Sequence, residues 1–395
     1  MELIPLPPNL VRVGQALPFA LRDAEGNLMF AAGQVLENTP LLQALLERGA
    51  YVAAYETKEY RRALAHKMDT LMHQGAVLGD IVKVQAEFSA PKPVKALEVG
   101  LVEAWSDLQL NANAVLRNAG REDFLARFEA LHEQVLTRLN AQPDATLMVL
   151  IHDAAHAIPS YSSRHALLCT ALAALCAAKL GWDAAWSAAL TRAALSMNLA
   201  HSVEQDRLTE QADAPSPVQR ARIAGHGERS AELLQAQGVS DPLWLDAVRL
   251  HHAAGPGPLA AKTPAEQLAR LLRRIDIFCA RLSPRRSRQA LSGAAAARGV
   301  YLDEMQQPDE AGAALIKAVG LYPPGTVVRL ANDEVGIVVK RGHTASDPLV
   351  KSLLGKSGTP LSSPVTRDTR LKAQAVAASL APHELKMHVS VDKLL

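Results

Sequence analysis

The chain has 395 residues, 49% of them hydrophobic, which is ample for a buried core and for two or three domains. Lys and Arg total 42 against 40 Asp and Glu, so the net charge of +2 excludes a general electrostatic affinity for nucleic acid polymers or acidic membrane, and any anion site must be local. The N-terminus has no basic stretch leading into an apolar one, and Lys or Arg interrupts every apolar run before about 18 residues, so a cytoplasmic protein without a membrane span is expected. Three cysteines cannot all pair. Cys169 and Cys176 sit seven residues apart in an Ala/Leu-rich helical pattern, as small core residues do, and a reducing compartment fits them.

Taken in chain order, residues 1–57 read as a small α/β accessory domain. Within it "PFALRDAEGNLMF" places two apolar runs around a turn, hence a hairpin, and "TPLLQALLERGAYV" predicts a capped helix closed by Gly49 and then a short strand. Residues 58–135 are charged and helical in pattern, with a break at "SAPKPVK", and read as a helical connector. From 136 to 340 apolar residues recur at helical spacing over 164–180, 183–200, 216–236, 241–252, 264–282, 286–298 and 308–319, an all-α domain. "GTVVRLANDEVGIVVKR" then predicts a β-hairpin, and 341–395 reads as a C-terminal extension with a mixed polar tail. The fold class is therefore mostly α: a helical bundle with a C-terminal β-hairpin, preceded by a small α/β unit.

His165, His226, His251 and His252 all fall near predicted helix ends, and Asp276 lies in a further helix. Side chains from separate helices can converge in a bundle core on a divalent ion. The ordinary alternative for any one of them is a surface or helix-terminal histidine.

Their order and context resemble the HD-GYP family, metal-dependent phosphohydrolases of the HD superfamily that are associated with hydrolysis of cyclic di-GMP. The resemblance runs from about 125 to 335. "YSSRHALLCTALAALCAAKLGW" is similar to the segment carrying the first ligand, His165; "GHGERSAELLQAQG" to the segment of His226, with Ser230 where the family has glycine. "LDAVRLHH" carries His251 and His252, "RRIDIFCARLSPRR" places Asp276 on the family's aspartate, and "AVGLYPPGTVVRLANDEVGIVV" resembles the end of the domain. The resemblance implies an HD-superfamily bundle with His165, His226, His251, His252 and Asp276 as metal ligands.

The defining His-Asp pair is missing. Where the family has His-Asp-Ile-Gly-Lys this chain reads "AALSMNLAH", with Met197 and Asn198 in the ligand positions, Ala200 for the glycine and His201 for the lysine. A neutral amide cannot offset the repulsion between two cations, and a thioether is a poor ligand for hard iron or manganese. His201 has two readings: a protonated ring partly replacing the lysine, or an exposed helix-terminal histidine. The signature loop is also replaced, by "HHAAGPGPLAAK".

What remains implies one divalent metal (iron, manganese or zinc) on His226, His251 and His252, or no metal. Among Arg270, Arg273, Arg274, Arg281, Arg285, Arg286 and Arg288, the residues Arg273, Arg274 and Arg281 are the candidates for phosphate contact; the ordinary reading is a salt-bridged helix face. The function expected is a catalytically impaired signalling protein that binds cyclic di-GMP or a protein partner. The alternative is an active phosphodiesterase with a mononuclear centre. A third pattern, "HDAAH" at 152–156, imitates a zinc-protease motif, but aspartate is one methylene short and Pro159 follows soon after. It reads as a decoy.

Overall fold

A computed structural model describes residues 3–6, 17, 19–22, 28–30, 49–53 and 100–395. The chain divides into two compact units, Met1–Val99 and Gly100–Leu395.

In the first unit β1 (Leu3–Pro5), β2 (Leu21–Arg22), β3 (Leu28–Phe30) and β4 (Tyr51–Ala53) form an antiparallel sheet in the order β1-β4-β2-β3. The hairpin expected over 18–30 is the β2–β3 pair, with Leu21 opposite Phe30. Leu17, Phe19, Leu21, Phe30, Ala50 and Val52 make its small core. The helix expected over 39–48 and the break at 89–95 lie outside the described residues.

The second unit corrects the boundary expected at 135. Helices α1 (Leu101–Arg117) and α2 (Phe124–Ala141) bury Trp105, Leu108, Phe128, Leu131 and Val135 in the same core as the later helices. Apolar residues at 105, 108, 112, 115 and 116 recur every three or four positions, so the face of α1 needs a partner and finds it in the bundle. Residues 100–135 are thus part of the helical domain and no connector.

The bundle is built around α4 (Tyr161–Leu180), buried on almost every side by α1, α3 (Pro143–His156), α5 (Ala184–Ser196), α10 (Pro264–Leu282) and α12 (Glu310–Val319). Its Ala, Ser and Cys positions let neighbouring backbones approach closely. Gly181, at φ 69°, ends it in a Schellman turn, with Trp182 N–H donating to the Ala177 carbonyl at 3.1 Å and Gly181 N–H to that of Ala178 at 3.2 Å. By length and hydropathy this helix would also pass for a membrane span, which the interrupted apolar runs do not suggest; here two thirds of its most apolar window is buried inside the bundle.

Three expected helices are revised. The 183–200 segment ends at Ser196 and continues as a 3₁₀ turn, Leu199–His201, into α6 (Ser202–Glu210). The 216–236 segment splits at Gly225 into α7 (Pro217–Ala224) and α8 (His226–Ala236). The 286–298 helix starts only at Gly293, as α11 (Gly293–Tyr301), because the backbones of Arg285 and Arg288 bond to each other first, at 2.7 and 2.9 Å. Between these, α9 (Pro242–Leu250) is capped by Asp241, whose carboxylate accepts from Leu243 N–H at 2.9 Å.

The expected C-terminal hairpin is β5 (Val327–Leu330) with β6 (Val335–Lys340), Val327 facing Ile337. The stretch read as a polar tail contains three strands: β7 (Leu349–Leu354), β8 (Pro360–Asp368) and β9 (Val376–Leu380) complete an antiparallel sheet in the order β8-β7-β6-β5-β9. Its outer strand β8 has no buried residue, so its sequence carries no core signal; pairing with β7 orders it. Gly325, at φ +93°, enters this sheet where a Cβ would come within 2.8 Å of the Met148 carbonyl in α3, a close approach only glycine permits.

Candidate metal centre

His226 is the first residue of α8, and His251 and His252 follow the last turn of α9. The two helix ends meet because Gly227 has no side chain: a Cβ there would stand 3.0 Å from the Val248 carbonyl and 3.1 Å from that of Arg249. That glycine, directly after His226, is the sequence signal that a close approach occurs at this histidine.

His226 and His251 are buried and His252 is exposed, and one ligand nitrogen from each lies within 4.8 Å of the other two. The Nδ1 of His226 is 2.5 Å from the Ile223 carbonyl, and the Nδ1 of His251 is 2.6 Å from the Val248 carbonyl. A carbonyl only accepts, so in both rings the proton sits on Nδ1 and Nε2 presents a lone pair. Those two Nε2 atoms face each other at 3.1 Å. Burial disfavours the charged form of the two buried rings: it drives the pKa of His251 down to about 3 and lowers that of His226. Two opposed lone pairs at this separation repel unless a cation lies between them. The donor set, three neutral imidazoles with two tautomers locked by backbone carbonyls, fits one zinc or iron ion with room for further ligands.

His201 is buried rather than exposed, and its ring stacks on that of His226 with centroids 5.3 Å apart. Burial, and then the neighbouring His226, lower its pKa to about 4, so it is neutral at pH 7 and does not supply the positive charge of a lysine. Ser230, in the family's glycine position, is fully buried and accepts from the Ala200 N–H at 3.1 Å, tying the 3₁₀ turn to α8.

His165 is hydrogen-bonded to Asp276, whose carboxylate also faces the cluster and raises the pKa values of His226, His251 and His252 against the lowering by burial. His165 Nε2 donates to Asp276 Oδ1 at 2.8 Å; its Nδ1 is 3.2 Å from the Tyr161 hydroxyl, and Cys169 Sγ is 3.4 Å from Nε2. Burial opposes the charged ring, but Cys169 and the Asp276 carboxylate outweigh it and raise the His165 pKa to about 10. Burial likewise opposes the Asp276 carboxylate, and the bond from His165 overcomes it, holding the group far below the usual carboxylate range. The two side chains form a hydrogen-bonded imidazole–carboxylate pair in the bundle. Met197 is buried in the hydrophobic core, and Asn198 borders a small void with Leu116, Ser162 and Ala166. Among the described residues the group within ligand distance contains His226, His251 and His252, without His165 or Asp276.

The arginines of α10 are not open to a ligand as expected. Arg270, 1% exposed, pairs with Asp309 and with Glu304 at 2.9 Å. Arg274 pairs with Glu304 at 3.1 Å and Asp309 at 2.9 Å; Arg273 pairs with Glu304 at 3.1 Å and donates to the His252 carbonyl at 2.5 Å. Arg270 also donates to the Ala254 carbonyl at 3.1 Å, so these residues fasten the short loop that follows His252. The half-buried Arg281 lies against Gly299 of α11. Glu304 and Asp309, which engage these arginines, had no sequence signal beyond their charge. The 152–156 pattern is likewise occupied: Asp153 pairs with Arg164 at 2.6 Å, and His156 Nδ1 lies 2.7 Å from the His152 carbonyl.

The fold and site define a mostly α helical domain carrying a three-histidine cluster. No family model matches the sequence, and no curated protein matches it. Among solved structures the chain is similar to Bd1817, an HDG"Y"P protein from Bdellovibrio bacteriovorus, at 16% identity and a TM-score of 0.43, over 80% of this chain and 98% of that one.

Proposed function

We propose that this protein is an HD-GYP-like signalling domain that binds one divalent ion at His226, His251 and His252 and acts as a binding regulator for cyclic di-GMP or a protein partner. The observation that carries it is the pair of opposed Nε2 lone pairs at 3.1 Å, an arrangement that calls for a cation. Binding rather than hydrolysis is supported by Met197 and Asn198 in the family's His-Asp positions and by the engagement of Asp276 with His165. Without a carboxylate to bridge two ions, the attacking and leaving oxygens of a phosphodiester are not both stabilised.

A bound ion would supply a positive centre with an open position. The chain's own groups orient it: the Ile223 and Val248 carbonyls fix two rings, and Gly227 sets the helix approach. The test combines metal analysis of the purified protein with calorimetric titration of cyclic di-GMP and a hydrolysis assay. One equivalent of metal, nucleotide binding and no turnover are expected. Turnover abolished by His251→Ala would favour the mononuclear phosphodiesterase instead.

A further inference from the structure

Beside the histidine cluster, the end of α1, the Leu199–His201 turn, α6, α7 and α8 enclose an open cleft of about 600 Å³, the size of a small-molecule site. Four guanidinium groups line it, from Arg117, Arg207, Arg222 and Arg229. They meet two carboxylates: Asp206 pairs with Arg117 at 2.5 Å, and Glu204 stands 3.7 Å from Arg222. Asp206 also accepts from the Ser162 N–H at 2.7 Å and hydroxyl at 3.1 Å, which fixes it in place, and the four guanidiniums outnumber the two carboxylates. Arg229 donates to the Arg222 carbonyl, which steers it across Gly225. Arg207 is exposed and has no ion-pair partner among the described residues.

In a chain of net charge +2 this is a local excess of positive charge, and it is concave, which focuses the field on whatever enters. Guanidinium forks match phosphate oxygens in geometry and charge. Leu116, Leu199 and Leu233 supply an apolar wall next to them. A second basic cleft, of about 640 Å³, is lined by Lys179, Lys317 and Arg341, but Arg341 is engaged by Asp144 at 2.6 Å and the lysines are point charges without the fork.

We infer that the cleft formed by Arg117, Arg207, Arg222 and Arg229 binds an organic phosphate of nucleotide size, its phosphate on the arginines and its ring on the leucine wall. The site goes beyond the metal cluster and stands whether or not that cluster holds an ion.

The test is calorimetric titration of the full chain, in the presence of EDTA, with GMP, cyclic di-GMP, pyrophosphate and guanosine. GMP or cyclic di-GMP should bind at least tenfold more tightly than guanosine, and pyrophosphate alone more weakly than either nucleotide. Arg207→Gln and Arg222→Gln, both on exposed side chains, should each weaken nucleotide binding about five- to tenfold, consistent with a lost charge-assisted contact. Lys179→Gln with Lys317→Gln should leave it unchanged. Absence of binding by all phosphate probes, binding indifferent to both arginine changes, or binding seen only when metal is added would each overturn the inference. The metal content of Arg207→Gln, measured separately, keeps this outcome distinct from that of the metal site.

Discussion

The His226–His251–His252 cluster and the His165–Asp276 pair lie in one bundle core and are built from the same kind of side chain, yet they do opposite things. In the cluster, backbone carbonyls accept from the Nδ1–H groups and leave two Nε2 lone pairs facing each other; in the pair, the Asp276 carboxylate accepts from the Nε2–H of His165. The capacity to hold a metal is decided by where protons and carboxylates sit, more than by how many histidines converge. The ion pairs of Arg270 and Arg274 extend the paired character along α10.

The largest effect expected on this contrast is in the paired region. Arg270→Ala combined with Arg274→Ala leaves Asp309, itself buried, without either of its guanidiniums and should cost about 3–5 kcal/mol, measured by urea unfolding. A loss below about 1 kcal/mol would mean the α10 arginines are not structural.

Acid and alkali should separate the regions next. The pKa values of His251, His201 and the core residue His132 are lowered, to about 3, 4 and 4, burial being the main cause in each. A histidine with a depressed folded pKa gives stability that is present above the unfolded value of about 6.5 and lost as pH falls toward the folded one. Metal-free protein should therefore lose stability between about pH 6.5 and 4, with His132, bonded to the Thr191 hydroxyl at 2.9 Å, accounting for about 3 kcal/mol. His165 has the opposite sign: its pKa is raised to about 10, so its contribution is complete below about pH 6.5 and fades as pH rises through 10. Thermal unfolding in EDTA across pH 4–11 checks both arms, and a His132→Gln variant with an unchanged acid limb would contradict the first.

Metal binding sharpens the contrast further. His251→Ala should weaken zinc binding about a hundredfold or more, whereas His165→Gln should alter it less than tenfold. Equal losses in both variants would erase the distinction between the two regions. The smallest expected change is from one metal equivalent toward two when Met197→His and Asn198→Asp are combined, read by elemental analysis. Stoichiometry that stays at one would show that the Asn198 position, bordering the void near Ser162, does not reach the cluster.

Much of the site was readable because its elements are local. Helical periodicity placed α4, α9, α10 and α12, and the β-branched runs of "GTVVRLANDEVGIVVKR" placed the β5–β6 hairpin. The absence of the His-Asp pair was visible in "SMNLAH" without any structure. Other features had no local signature. The α10 arginines read as a phosphate surface because Glu304 and Asp309, more than 25 residues away, cancel them only once the chain is folded. The buried state of His201 depends on its ring meeting His226 across a turn, and the ordered edge strand β8 depends on β7.

The sequence by itself determined where the main helices of the bundle lie, which histidines are available and that the His-Asp pair is missing, because these follow from residue type and short-range spacing. Tertiary structure alone decided how those histidines divide. The same imidazole presents a free Nε2 lone pair where a carbonyl accepts from its Nδ1–H and a raised pKa where it faces a carboxylate, and which neighbour it receives is set by packing between helices far apart in the chain.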